Sequence, residues 1–269
     1  MPDTTPPAIK TAEAPPPEDG WRPDLDVLRA QLDGLDDKIH DLLMQRALVI
    51  ENVARSGKPA AFRPGREASI LRRLLKRHTG KLPARTLVRM WRELLAGTTA
   101  MQTAVTVAVA DPANTGLMPE MAREHFGFLT PVVMHGSIDA ALNTVRAGTA
   151  TIAVLPFPTE TTAWWPALTN AEPRLYIIAR LPFWGDRPAG VPTAGALVTG
   201  IAAPDASGAD RSFIETTEFA RLADAGLTPL VVHRNVAEID GTVAQNDPRL
   251  PAGAIVLGGY AVPVAGELA

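Results

Sequence analysis

The 269-residue sequence has no cysteine, which excludes disulfides, thiolate nucleophiles and cysteine-based metal sites and argues against redox chemistry. It also lacks an apolar run long enough to span a bilayer. The opening MPDTTPPAIKTAEAPPPEDG has no basic stretch followed by an apolar one, so it reads as neither signal peptide nor anchor, and its prolines suit a solvated, disordered tail. These absences point to a cytoplasmic protein. Histidine is scarce, and His40, His78, His125, His135 and His233 show no metal-ligand spacing; neither metal nor cofactor is expected. Lysine is missing after Lys81, and the charge divides along the chain as well. Residues 21–104 hold 16 Lys and Arg against 9 Asp and Glu, net +7, whereas residues 105–269 hold 9 against 16, net −7. Two modules joined near residue 104 follow, and the length gives each room for its own core.

What the first module does have is a ladder. Leu25, Leu28, Leu32, Leu35, Ile39, Leu42, Arg46, Val49 and Val53 recur at strict 3,4 spacing, which places a narrow apolar seam along one helix of about 24–55, the pattern of helices that pack against a partner. Only Arg46 on that seam is charged. A guanidinium there cannot lose its proton and needs an anion from the protein or from a ligand. A break at Gly57, Pro59, Pro64 and Gly65 leads to a second helix, about 66–78, and Pro83 opens a third. The third carries Leu87, Met90, Trp91, Leu94 and Leu95 on one face, and the stripe runs on to Thr98 and Gln102. Arg46, the pair Arg66 and Glu67, and Thr98 with Gln102 are thereby directed toward interior positions, a set suited to an oxygen-rich small dianion. A nucleic-acid reader would instead carry its cations on an exposed face.

The three segments LDVLRAQLDGLDDKIHDLLMQRALVIENVA, FRPGREASILRRL and LVRMWRELLAGTTAMQ resemble, in that order, the all-helical chorismate mutases, in which two chains intertwine and each pocket borrows an arginine from the partner. The resemblance covers about residues 22–103. It implies a homodimer with shared sites. Arg29 matches the arginine donated across the dimer, and Arg46 the one that grips substrate carboxylate within the same chain. Arg66 and Glu67 match the Arg-Glu pair opening the second helix, Glu67 being placed to accept the ring hydroxyl of chorismate. Thr98 stands where the family often has serine, and Gln102 matches the glutamine that donates to the ether oxygen. One position departs: ungapped alignment puts Gly57 where the family has a lysine, and Lys58, one residue later, is the candidate.

The implied reaction is the rearrangement of chorismate to prephenate within one molecule, which needs no nucleophile, metal or cofactor. Arginines that hold two carboxylates fix the reactive conformer, and Lys58 with Gln102 would stabilise charge developing on the ether oxygen. Each residue also has a plainer reading. Arg46 alone would set helix register, Arg29 would be a surface charge, Arg66 and Glu67 first-turn residues, Thr98 and Gln102 a fraying end, and Lys58 a loop lysine.

The second module alternates strands and helices: TAVTVAVA, a helix near 119–126, TPVVMH, a helix over 137–147, then ATIAVLPF. This α/β lobe, about 105–190, is similar to the first lobe of prephenate dehydratase, but Phe157-Pro158-Thr159 replaces Glu-Asn-Ser and no Thr-Arg-Phe is present. Residues 105–269 are also too few for two lobes and a regulatory domain. Dehydratase activity is therefore not expected. Residues 191–269 resemble an ACT regulatory region, with strand, helix, two strands and a final strand beginning VLGGY, which implies an aromatic amino acid effector; its effector motifs are not clear, and GALV at 195–198 precedes the first ACT-like strand. The sequence thus predicts a multidomain chain: a disordered tail (1–20), an all-α intertwined three-helix dimeric mutase domain (21–104), and a degenerate α/β (α+β) region that regulates, stabilises or docks. No nucleic acid or membrane partner is expected. A non-catalytic sensor of cyclic dianions and a bifunctional mutase–dehydratase are the competing readings.

Overall fold

A computed structural model describes residues 24–56, 62–159, 162–185, 187 and 194–264. The chain divides into two units, 1–50 and 51–269. The first contributes most of α1 (Leu25–Arg55), a single helix of 31 residues, about 46 Å long at ~1.5 Å per residue. None of its residues is buried. The seam is laid out as the ladder predicts, and it stands open: Leu32 is 60% exposed, Leu42 63% and Val49 61%.

The second unit begins with α2 (Pro64–Arg77) and α3 (Ala84–Ala100). α2 starts two residues before the sequence expectation. Proline fits its first turn, where no N–H is needed, and the N–H groups of Gly65 and Arg66 are capped by Asp205, at 3.0 and 3.1 Å, from 140 residues downstream. A cap supplied from so far away leaves no local signal. α3 opens at Pro83 as expected, but its buried line is Val88, Arg92, Leu95, Thr98 and Thr99, whereas Met90, expected inside, is 52% exposed. The helix is rolled toward Arg92 because that side chain has partners within the fold.

The rest is built on one nine-stranded sheet, in the order β2-β1-β3-β5-β4-β9-β6-β8-β7. β1 (Val107–Ala110), β2 (Val132–His135) and β3 (Ile152–Pro156) run parallel, joined by α4 (Leu117–Phe126) and α5 (Ile138–Arg146). All four residues of β1 are fully buried, as expected of a strand covered on both faces. Val107 and Val109 meet Met121 and Phe126 of α4, while Ala108 and Ala110 meet Leu142 and Val145 of α5. β4 (Tyr176–Leu181) follows the short α6 (Pro166–Thr169), and β5 (Ala196–Gly200) inserts antiparallel between β3 and β4. The expected boundary at 190/191 lies outside the described residues, but β5, which lies beyond it, pairs with strands that precede it.

β6 (Asp210–Glu215), α7 (Phe219–Asp224), β7 (Pro229–His233), β8 (Val236–Asp240) and β9 (Ile255–Ala261) give the expected order of strand, helix, two strands and a last strand. Numbered among themselves the four strands lie 4-1-3-2, the ferredoxin-like arrangement. β9 then joins the lobe by pairing in parallel with β4 at Ile177 and Gly258. A Cβ on Gly258 would stand 2.2 Å from the Ile177 carbonyl oxygen, and its φ of +120° is one that L residues avoid. Glycine is required there by the strand junction.

Candidate functional site

In the first unit, Arg29 lies on the exposed side of α1 and pairs with Asp26 at 3.0 Å. Arg46 is partly buried on the apolar seam, and desolvation pulls its pKa below the usual 12.5. Lys58 lies outside the described residues.

In the second unit the candidates fall into two groups. Glu67, in the first turn of α2, is 9% exposed, and its Oε2 accepts a hydrogen bond from Arg92 Nη1 at 2.9 Å. Arg92 is itself only 4% exposed and stacks over the Phe183 ring at 4.8 Å. Burial raises the pKa of Glu67, a shift that the Arg92 charge opposes. Burial likewise lowers Arg92 to about 10, which leaves it cationic at neutral pH. Arg66 next door is exposed. Its backbone N–H is held by Asp205, which also pairs with Arg63 at 3.2 Å. At the far end of α3, Thr98 Oγ1 donates to the Leu94 carbonyl at 2.9 Å, and Gln102 Nε2 donates to the Thr98 carbonyl at 3.0 Å. Thr98 and Gln102 are thus brought together, as their spacing predicts.

A cavity of about 300 Å³ opens between α2, α3 and α4. Phe62, Ala96, Phe126 and Leu129 give it apolar walls, and Glu67, Glu93 and His125 are its ionisable groups. His125 is buried, and both desolvation and the Arg92 charge drive its pKa well below 6.5, so it is neutral at physiological pH. Among the described residues no group of three or more His, Asp or Glu could hold a metal ion, and no helix is long and apolar enough to cross a membrane.

Two members of this arrangement were missed in the sequence. Arg92 was passed over because it is charged, yet it sits four residues after Val88 and three before Leu95, on the face those residues define. That spacing was the available signal. Asp205 offered none, since its role depends on a contact between distant parts of the chain.

Residues 28–103 match the family Chorismate mutase type II. The helical segment is therefore a domain of that family, followed by a mixed α/β region. The chain is 29% identical over 145 residues to the bifunctional chorismate mutase/prephenate dehydratase of Pseudomonas aeruginosa, covering 51% of this chain and 40% of the relative. It is 30% identical over 145 residues to the enzyme of the same name from Stutzerimonas stutzeri, with the same coverage. The matched part thus spans less than half the length of these relatives. Among solved structures, the prephenate dehydratase of Arthrobacter aurescens in complex with L-Phe is 15% identical with a TM-score of 0.41, over 58% of this chain and 90% of that one.

Proposed function

We propose that the chain is a chorismate mutase, converting chorismate to prephenate by holding the reactive conformer and stabilising charge on the breaking ether bond. The match over residues 28–103 carries this reading, because it takes in all three helices and every candidate side chain. In this proposal Arg29, Arg46 and Arg66 hold the two carboxylates, Thr98 assists, and Lys58 and Gln102 donate to the ether oxygen. Fixing the conformer is a positioning effect, and the donors act by binding the transition state better than the ground state. Glu67 spends Oε2 on Arg92, which leaves Oε1 to accept the substrate hydroxyl. Gln102 has a second amide hydrogen to offer while the first stays on the helix end.

The proposal includes a homodimer. Leu25, Leu32, Leu35, Ile39, Leu42, Val49 and Val53 of the α1 seam, exposed by 40–64%, are what a second copy would cover. The α/β region is read as non-catalytic and regulatory or structural, since Phe157-Pro158-Thr159 offers no ionisable group where the dehydratase motif would stand. An aromatic amino acid effector acting through it, and a cytoplasmic setting, belong to the same reading.

The test is loss of chorismate absorbance with the purified protein and with Arg46→Ala, identification of prephenate as product, and a separate assay for consumption of prephenate. Turnover that collapses by about a hundredfold or more in the variant supports the proposal, and prephenate consumption sinks the non-catalytic reading of the α/β region. A second reading, a sensor that binds the dianion without turning it over, is favoured by the commitment of Glu67 to Arg92. Chorismate bound by the intact dimer with no prephenate formed would select it.

A further inference from the structure

A groove of about 620 Å³ runs between α3, α4 and the segment 182–184 after β4, and shares Glu93 and His125 with the smaller cavity that Glu67 lines. Its volume falls in the range of small-molecule sites, roughly 300–1,000 Å³. The cations along it are of two kinds. Arg187 is engaged by Glu124, at 2.6 Å from Nη2 to Oε2. Arg85, Arg89 and Arg123 are exposed and have no carboxylate within 4.0 Å among the described residues. Of the acids on the groove, Glu124 is taken by Arg187 and Glu93 accepts the Phe128 N–H at 3.2 Å, which leaves Glu120 as the lining acid with no bonded partner among the described residues.

Two further features give the groove a chemical preference. Phe128, 72% exposed, and the half-buried Trp184 supply flat apolar surface, while Phe183 is buried beneath the Arg92 guanidinium. At the inner end, Arg92 uses Nη1 on Glu67, while its Nε is buried with no hydrogen-bond partner, as is His125 Nε2. Among the described residues Arg92 thus keeps hydrogen-bonding capacity beyond the bond to Glu67, and its fixed positive charge stands at the inner end of the groove.

We propose that this groove binds a small organic anion with a flat apolar body, an aryl carboxylate being the simplest case. The ring lies against Phe128 and Trp184, and the carboxylate is held by Arg89 and Arg123 with Arg92 behind them. Neither the mutase reaction nor the helical seam enters the argument.

The probes are 2-naphthoate, its neutral counterpart 2-naphthamide, and inorganic phosphate, titrated calorimetrically into the full chain and into the double variant Arg89→Gln/Arg123→Gln. Both arginines are exposed and have no carboxylate partner among the described residues, so the variant is expected to fold, which its melting temperature checks. The expected result is saturable naphthoate binding, weakened about tenfold or more both by the amide and by the double variant, with phosphate weaker than naphthoate. Equal binding of acid and amide, an unchanged affinity in the double variant, phosphate binding as well as naphthoate, or no saturation by naphthoate would each overturn the proposal. The titration needs no turnover, so its failure is distinct from failure of the mutase reading.

Discussion

Replacing Arg92 by methionine keeps the bulk of the side chain and strands Glu67. The two groups are 2.9 Å apart, and their side chains are 5% and 12% exposed. Breaking such a buried pair from one side costs about 3–5 kcal/mol. The cost has a ceiling, because Glu67 can take up a proton instead of remaining charged. From its ordinary value of 4.5, protonation at about pH 7 costs about 3.4 kcal/mol at ~1.36 kcal/mol per unit. Lost stacking of the guanidinium on Phe183 adds about 1–2 kcal/mol. At about pH 5.5 the protonation part falls to about 1.4 kcal/mol, so the penalty of Arg92→Met shrinks by up to about 2 kcal/mol on acidification.

The sign follows from linkage. Burial raises the pKa of Glu67, so the folded chain holds that proton more tightly than the unfolded one; the contribution is full below 4.5 and is lost as pH rises through the folded value. Removing Arg92, whose charge opposes the shift, moves the folded value further up and widens the window. Urea unfolding of the wild type, Arg92→Met, Glu67→Gln and the double variant at both pH values measures this. The double variant should recover about 2 kcal/mol or more relative to the summed single changes. A penalty for Arg92→Met below about 1 kcal/mol, or one that does not change with pH, would refute the buried pair.

Asp205→Ala removes acceptors from the Gly65 and Arg66 N–H groups and a partner from Arg63; it should cost about 1–2 kcal/mol and speed amide exchange at residues 65 and 66, and unchanged exchange there would contradict the cap. Gly258→Ala drives a methyl to 2.2 Å from the Ile177 oxygen and should cost about 4 kcal/mol or more, seen as lost soluble yield or a collapsed melting transition. A variant that melts with the wild type would show that β4 and β9 do not pair closely.

What could be read in the sequence were the features set by short-range pattern. The ladder from Leu25 to Val53 gave the first helix to within one residue, Pro83 marked the start of the third, and the alternating runs placed β1, β2 and β3 with their helices. The features that escaped are those in which distant residues complete each other. β5 slips between β3 and β4, β9 reaches across to β4, and Asp205 caps a helix 140 residues earlier. Arg92 shows a different limit. Pattern reading assumes that charge faces water, but a charge with a buried partner obeys the partner, and only the fold reveals that Glu67 lies opposite.

The division of charge near residue 104 marks a change of composition. α2 is fastened to the acidic region at several points: Arg72 donates from Nη1 to Ser207 Oγ at 2.7 Å and from Nη2 to the Ala209 and Val262 carbonyls at 2.9 and 2.6 Å, and Ser69 reaches the Ser207 carbonyl at 3.0 Å. Beneath these bonds Ala68, Leu71 and Leu75 are packed with Phe183 and Ala261. Opposite charges meet at Arg63, just before α2, which pairs with Asp205 on the α/β side, while Arg72 within α2 finds a hydroxyl and carbonyls. Asp205 holds the first turn of α2, and that turn carries Arg66 and Glu67. Two of the groups that the mutase proposal requires are therefore positioned by the region proposed to be non-catalytic, which gives that region a structural reason to be retained even without chemistry of its own.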